Sequence, residues 1–200
     1  LCDLTGGLGI DSYYFSRKAK SVTYIERFPA YCEAAVANFE VLGADNITVL
    51  QGDSTELAGQ IEGIDLFYID PARRGDGNRR VFALQDCEPD LPKLLPILLQ
   101  RAPKVIAKLS PMADIQMTLD LLPGTQEIHV LSVRNECKEL LFVMGRGETV
   151  ADLPLHCVHF DANGEEQSFT FTLTEEQQIC VSLADKVGSY LYEPNASLLK

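Results

Sequence analysis

Short apolar runs alternate with amphipathic stretches along the first 145 residues, and the alternation predicts a succession of strands and helices. Leu1-Cys2-Asp3-Leu4 reads as a strand end, and Ile10 to Lys18 as a helix. Val22 to Glu26 is a strand, followed by Pro29 at a helix start. The helix Ala30 to Leu42 shows a stripe of Ala35, Phe39 and Leu42 and stops at Gly43. Ile47 to Leu50 is a third strand, Ser54 to Ile61 a short helix, and Ile64 to Ile69 a fourth strand. That fourth run is apolar except for Asp65, which suits burial on both faces. Leu91 to Arg101 and Ile115 to Leu122 are helical, with a fifth strand at Val105-Ile106-Ala107 between them. Glu127 to Val133 and Glu139 to Met144 close the set as an antiparallel pair. The expectation is an α/β fold, a doubly wound and mostly parallel sheet of seven strands with right-handed crossovers.

The pattern changes near Gly145. Leu155 to Phe160 and Ser168 to Leu173 are alternating strands around Asp161-Ala162-Asn163-Gly164, where Asn-Gly signals a hairpin turn. A boundary is expected at about 148–153, dividing a main domain, residues 1–150, from a small β-rich appendage, residues 151–200. Fifty residues are too few to bury much core alone, so the appendage is expected to dock on the main domain or continue into further sequence. The chain opens on Leu1, inside a strand, so its N-terminus is expected to be truncated.

Composition narrows the class. The 200 residues are 46% hydrophobic and 23% charged, which is ordinary for a globular protein and too apolar for a disordered one. No apolar run is long enough to span a membrane, and no secretory leader is visible. Seventeen basic against 29 acidic residues leave a net charge of −12, which argues against a uniformly basic nucleic-acid binder. Four arginines nevertheless cluster within eight positions: Arg73, Arg74, Arg79 and Arg80. The six cysteines are scattered without Cys-x-x-Cys spacing, so zinc-ribbon sites are not supported and reduced, cytoplasmic cysteine is expected. His129, His156 and His159 show no metal-ligand spacing on one face, although His156 and His159 flank a strand; no metal is expected.

The chemistry lies in four acids. Asp3, Glu26, Asp53 and Asp70 fall at or just past the ends of the first four strands. Ligands of an open parallel sheet bind outside the carboxyl ends of its strands, so all four carboxylates are expected on one crevice. Gly7 and Gly9 follow Asp3 and Thr5 in a tight loop where backbone can approach a ligand. Asp3 is suited to pair with a ligand ammonium, and Glu26 to accept from both ribose hydroxyls. Asp53, or the backbone near Ser54, stands where an adenine edge would be read, and Asp53 equally suits a helix N-cap. Asp70 ends an apolar strand and is followed by Pro71, which stiffens the loop, and by the arginines.

These motifs resemble those of the class I S-adenosylmethionine-dependent methyltransferases. Asp3-x-Thr5-x-Gly7-x-Gly9 is similar to their first motif, Glu26 to their second-strand acid, Gly52-Asp53 to their adenine-side motif, and Asp70-Pro71 to their catalytic loop. A closer resemblance is to a bacterial group with a C-terminal THUMP-like domain. It rests on Asp70-Pro71-Ala72-Arg73-Arg74, Arg79-Arg80-Val81-Phe82, Lys108-Leu109-Ser110-Pro111 and Lys138-Glu139. The resemblance implies a Rossmann-like methyltransferase sheet and S-adenosylmethionine as cofactor. Asp3, Thr5, Gly7, Gly9, Glu26, Asp53, Ser54 and Asp70 would hold the cofactor, and Asp70 and Pro71 would be catalytic. Arg73, Arg74, Arg79, Arg80 and Lys108 would grip an RNA substrate, modified at a base nitrogen. Ala72 and Arg73 depart from amino-directed relatives, which carry a second proline and an aromatic there. Ser110-Pro111 departs from uracil-C5 enzymes, which need a cysteine at that point. Two other readings stand beside this one: a catalytically degenerate scaffold of the same fold, and a nucleotide-dependent dehydrogenase. Thr5 in place of the first loop glycine counts against the latter.

Overall fold

The computed structural model describes residues 1–73, 84, 87–180, 185–186 and 188–200. The chain begins with β1 (Cys2–Asp3), α1 (Ile10–Ser16), β2 (Val22–Glu26), α2 (Pro29–Leu42), β3 (Ile47–Gln51) and α3 (Ser54–Leu57). It continues through β4 (Leu66–Ile69), β5 (Ala72–Arg73), β6 (Cys87–Glu88), α4 (Leu91–Arg101), β7 (Lys104–Leu109) and α5 (Ile115–Leu121). It ends with β8 (Thr125–Val133), β9 (Glu136–Gly145), β10 (Pro154–Phe160), β11 (Glu166–Thr172) and α6 (Leu173–Gln178).

Local chemistry accounts for the element ends. Pro29 occupies the first turn of α2, and Gly43 caps its C-terminus with φ 65°, a left-handed conformation that favours glycine. The Asp90 carboxylate accepts from the Lys93 amide and caps α4. Leu91, Leu94, Leu95 and Leu98 then form a helical stripe that is wholly buried. Burying each such leucine is worth roughly 1.5–3 kcal/mol of apolar transfer.

The described residues form a sheet in the order β11-β10-β8-β9-β7-β4-β1-β2-β3. Strands β3, β2, β1, β4 and β7 run parallel, and β9 inserts antiparallel between β7 and β8. Both faces are covered. Adjacent residues of β2 enter different cores: Tyr24 packs with Cys32, Ala35 and Phe39, and Ile25 joins the large cluster that holds α4.

The expected seven strands are present as β8-β9-β7-β4-β1-β2-β3, but the sheet has nine. The C-terminal hairpin extends it rather than standing apart. β10 pairs parallel with β8, from Leu155 opposite Ile128 to Phe160 opposite Val133, and β11 pairs antiparallel with β10. The physical reason is edge satisfaction. Were β10 undocked, the backbone groups of β8 would lie along an open edge, and β10's own inward Leu155 and Cys157 would lose their core. A capping box at Thr172 and Glu175 turns the chain into α6, where strand character had been expected to run to Leu173. All six cysteines are free, and no helix among the described residues is long and apolar enough to cross a membrane.

Candidate functional site

Chain order reverses at β1, which has β2 on one side and β4 on the other. The carboxyl ends of these strands therefore splay around a crevice, the usual ligand position of such sheets. A cleft of about 450 Å³ occupies that place, within the range of small-molecule sites. Its walls include Thr5, Gly7, Glu26, Asp53, Ser54 and Asp70, so six predicted residues meet there. A more open hollow of about 550 Å³ beside Phe169, Phe171 and Ile179 lies on β11 and α6 and includes none of the four predicted acids.

The loop after β1 is built by its neighbours. Gly7 has φ 52°, and its N–H donates to Glu26 Oε2 at 2.9 Å. The other Glu26 oxygen accepts from the Phe28 N–H at 2.9 Å, so one carboxylate fixes the loops after β1 and β2 together. Gly6 lies against the Tyr24 ring, where a Cβ would come within 2.1 Å of it. Gly9, with φ 83°, begins α1 against Phe39 rather than on the cleft wall. The Thr5 hydroxyl accepts from the Asp70 N–H at 2.7 Å and ties the first loop to the loop after β4. Asp53 caps α3, its Oδ1 accepting from the Thr55 N–H and hydroxyl, which hold its carboxyl below the ordinary value.

Asp3 does not face the cleft. It is 0% exposed, and its oxygens accept from the Thr5 N–H at 3.1 Å and the Ser12 hydroxyl at 2.6 Å. Asp3 therefore braces the loop against α1 and is not placed to meet a ligand ammonium. Burial pushes its carboxyl up to about 6, outweighing those two hydrogen bonds. A group raised in the folded state contributes stability that is fully present below its unfolded value of 3.8 and lost as pH rises through about 6. The loss is on the order of 3 kcal/mol. Asp3→Asn, which keeps the shape without the charge, is expected to flatten the fall in stability between pH 4 and 6. Denaturant unfolding at several pH values measures it, and an unaltered slope would refute the assignment.

Lys108 also departs from expectation. Its Nζ lies 2.9 Å from both Asp11 Oδ2 and Asp70 Oδ2, with the side chain 19% exposed. Burial alone would lower its pKa, but the hydrogen bonds to Asp70 and Asp11 win and raise it above the ordinary value. The Tyr68 hydroxyl donates to the same Asp11 oxygen at 2.8 Å. Lys108 thus holds Asp70 in place and is not a free cation reaching for phosphate. Pro71 follows Asp70 but is not part of the cleft wall. Arg73 pairs through its backbone with Cys87, between β5 and β6. Arg74, Arg79 and Arg80 lie outside the described residues.

Sequence pattern alone does not reveal several wall residues. Arg27 makes a two-pronged ion pair with Glu88, at 3.0 and 3.2 Å, across 61 residues of chain. Phe28 and Tyr31 stand on the wall as an exposed edge-to-face pair, 5.7 Å between centroids. Aromatics on either side of Pro29 at the start of α2 were the available signal.

No family model and no curated protein matches the chain. Solved structures do. A protein of Porphyromonas gingivalis W83, described as a candidate methyltransferase, is 38% identical over 99% of this chain with a TM-score of 0.88. The chain has a methyltransferase fold. It spans half the length of that protein. An rRNA methylase from Streptococcus thermophilus is 12% identical, with a TM-score of 0.53 over 72% of this chain and 85% of its own. A candidate methyltransferase from Streptococcus mutans, solved in complex with SAH, is 13% identical, with a TM-score of 0.51 over 72% of this chain and 86% of its own. These two likenesses concern the fold alone.

Proposed function

We propose that the cleft binds S-adenosylmethionine and that the chain is the catalytic part of a methyltransferase acting on a nitrogen of an RNA base. The observation that carries this is the convergence of Glu26, Asp53, Ser54, Asp70 and the Thr5–Gly7 turn on one cleft. The residues fit that cofactor. Glu26 offers carboxylate lone pairs to ribose hydroxyls, the Phe28–Tyr31 pair offers an apolar wall to adenine, and Gly7 leaves room beside the backbone. Among the described residues, the acids Glu26, Asp53, Asp70, Glu88 and Asp90 line the cleft against one arginine, Arg27, which is itself paired with Glu88. Such a field favours a sulfonium cation and disfavours the pyrophosphate of a dinucleotide. The Thr5 hydroxyl is also committed to the Asp70 amide, away from any phosphate.

When bound, the cofactor supplies an electrophilic methyl group. This chain's residues do the rest. Glu26 and the Gly7 turn orient the ligand, and Asp70 accepts a hydrogen bond or proton from the nucleophilic nitrogen. Lys108, shared with Asp11, keeps the Asp70 carboxylate aimed. The RNA reading rests on Arg73 and Arg74 directly after the Asp-Pro turn, with Arg79 and Arg80 near them, as phosphate contacts. The fold it shares with an rRNA methylase is compatible with that reading. Residues 151–200 are read as the start of a THUMP-like domain whose first hairpin has joined the sheet. A degenerate scaffold is the second reading, favoured by Ala72 and Arg73 where amino-directed relatives stack an aromatic.

Calorimetric titration separates the readings. S-adenosylmethionine is expected to bind one to one and NAD not to bind. Binding of NAD alone would overturn the proposal. Cofactor binding without any nucleoside change in the RNA of cells lacking the gene, measured by mass spectrometry, would favour the scaffold.

A further inference from the structure

The geometry points to a second site: Glu127, His129 and His156 form a binding site for one divalent transition-metal ion, with zinc the best fit. It lies on β8 and β10, three and four strands beyond β4, and is independent of the cofactor reading. His129 and His156 are paired directly across the two parallel strands. Their rings stack with centroids 4.7 Å apart and planes inclined by 29°. Glu127, two residues before His129, presents its carboxylate on the same face. Its Oε1 is 3.9 Å from His129 Nε2, and its Oε2 is 3.6 Å from His156 Nε2. Both separations are too long for a direct hydrogen bond. They lie within a few tenths of an ångström of a shared-ion geometry, because ligand atoms about 2.0–2.2 Å from a tetrahedral zinc lie roughly 3.3–3.6 Å from one another. One ligand atom from each of the three residues lies within 4.8 Å of the others.

The surroundings orient the ligands. His156 Nδ1 is 2.9 Å from the Thr170 hydroxyl on the next strand, β11. A hydrogen on Nδ1 donated to that hydroxyl leaves the Nε2 lone pair facing Glu127. Metal-bound histidines typically carry such an outer contact on their second nitrogen. The three side chains remain about one-third exposed, which leaves a coordination position open to water.

Chain spacing hides the site. His129 and His156 lie 27 residues apart, and only the pairing of β8 with β10 brings them together. His156 and His159, expected to flank a strand, both lie within β10 and are divided between its faces: His159 is buried and 2.8 Å from Ser132 Oγ. Bound metal would cross-link the C-terminal hairpin to the sheet it extends.

Zinc titration of the 200-residue chain against a chelating dye is expected to give one ion per chain with a Kd below about 1 μM. X-ray absorption is expected to show nitrogen and oxygen neighbours at about 2.0–2.2 Å and no sulfur near 2.3 Å. His129→Ala and His156→Ala are each expected to weaken zinc by about 100-fold or more, and Thr170→Val by about tenfold. Zinc is expected to raise the Tm of the parent chain and not of His156→Ala. Calorimetry of the cofactor cleft should not change in these variants. Thr170→Val and His156→Gln keep the test open should an alanine variant fail to fold. Absence of stoichiometric zinc, sulfur in its coordination shell, or parental affinity in the histidine variants would overturn the site.

Discussion

Asp70→Ala is expected to cut methyl transfer by about 10²–10⁴-fold while leaving the Kd for S-adenosylmethionine within about tenfold. The size follows from what a positioned proton or hydrogen-bond acceptor contributes to such a step. The split follows from how the residue is held. The Asp70 amide is fixed by the Thr5 hydroxyl at 2.7 Å, a contact the substitution keeps, so the cofactor loop stays put. The side chain is exposed to the cleft and paired with Lys108, which Asp11 also holds. Its loss removes an acceptor without collapsing the network. Asp70→Asn separates two roles: it keeps a carbonyl acceptor but cannot take up a proton, so retained activity would mark Asp70 as an orienting group and not a base. The assay is labelled-methyl transfer to total RNA from cells lacking the gene. Turnover within threefold of the parent for Asp70→Ala would remove Asp70 from the chemistry.

The four acids illustrate what a sequence discloses and what it conceals. Strand ends of an open parallel sheet share one rim, so an acid after each apolar run is enough to place Glu26, Asp53 and Asp70 on the cleft. Asp3 obeyed the same spacing but points inward. A parallel strand is buried on both faces, so its residue pattern carries no sign of which side a given side chain takes. Lys108 was legible as a strand-end cation, yet its partner Asp11 lies 97 residues away, and nothing local announces the pair. The same holds for Arg27 and Glu88. Hairpin β10–β11 was legible from its alternation and its Asn-Gly turn. Its place at the sheet edge was not, because β10 joins β8 in parallel through a crossover from Gly145 to Pro154. The Thr172–Glu175 capping box was written in the sequence, but strand alternation ran over the same residues and masked it.

The second large effect concerns Glu26, whose removal is expected to raise the Kd for S-adenosylmethionine by about 10²-fold. Hydrogen bonds to a charged group contribute about 1.5–3 kcal/mol each, and every 1.4 kcal/mol is tenfold in affinity. Glu26→Ala removes the acceptor proposed for the ribose. It also strips the Gly7 and Phe28 amides of the oxygens they donate to, so the turn that approaches the ligand loses its anchor. Glu26→Gln divides these effects. Its single carbonyl can serve one amide, so part of the loop anchoring survives while the ribose acceptor and its charge are lost. The glutamine variant is therefore expected to fall between the parent and the alanine variant. Calorimetry with S-adenosylmethionine measures the series, and unfolding in denaturant checks that the domain itself persists. A Kd for Glu26→Ala within threefold of the parent would show that the ligand does not lie across the ends of β1 and β2, and the reading of the whole cleft would go with it.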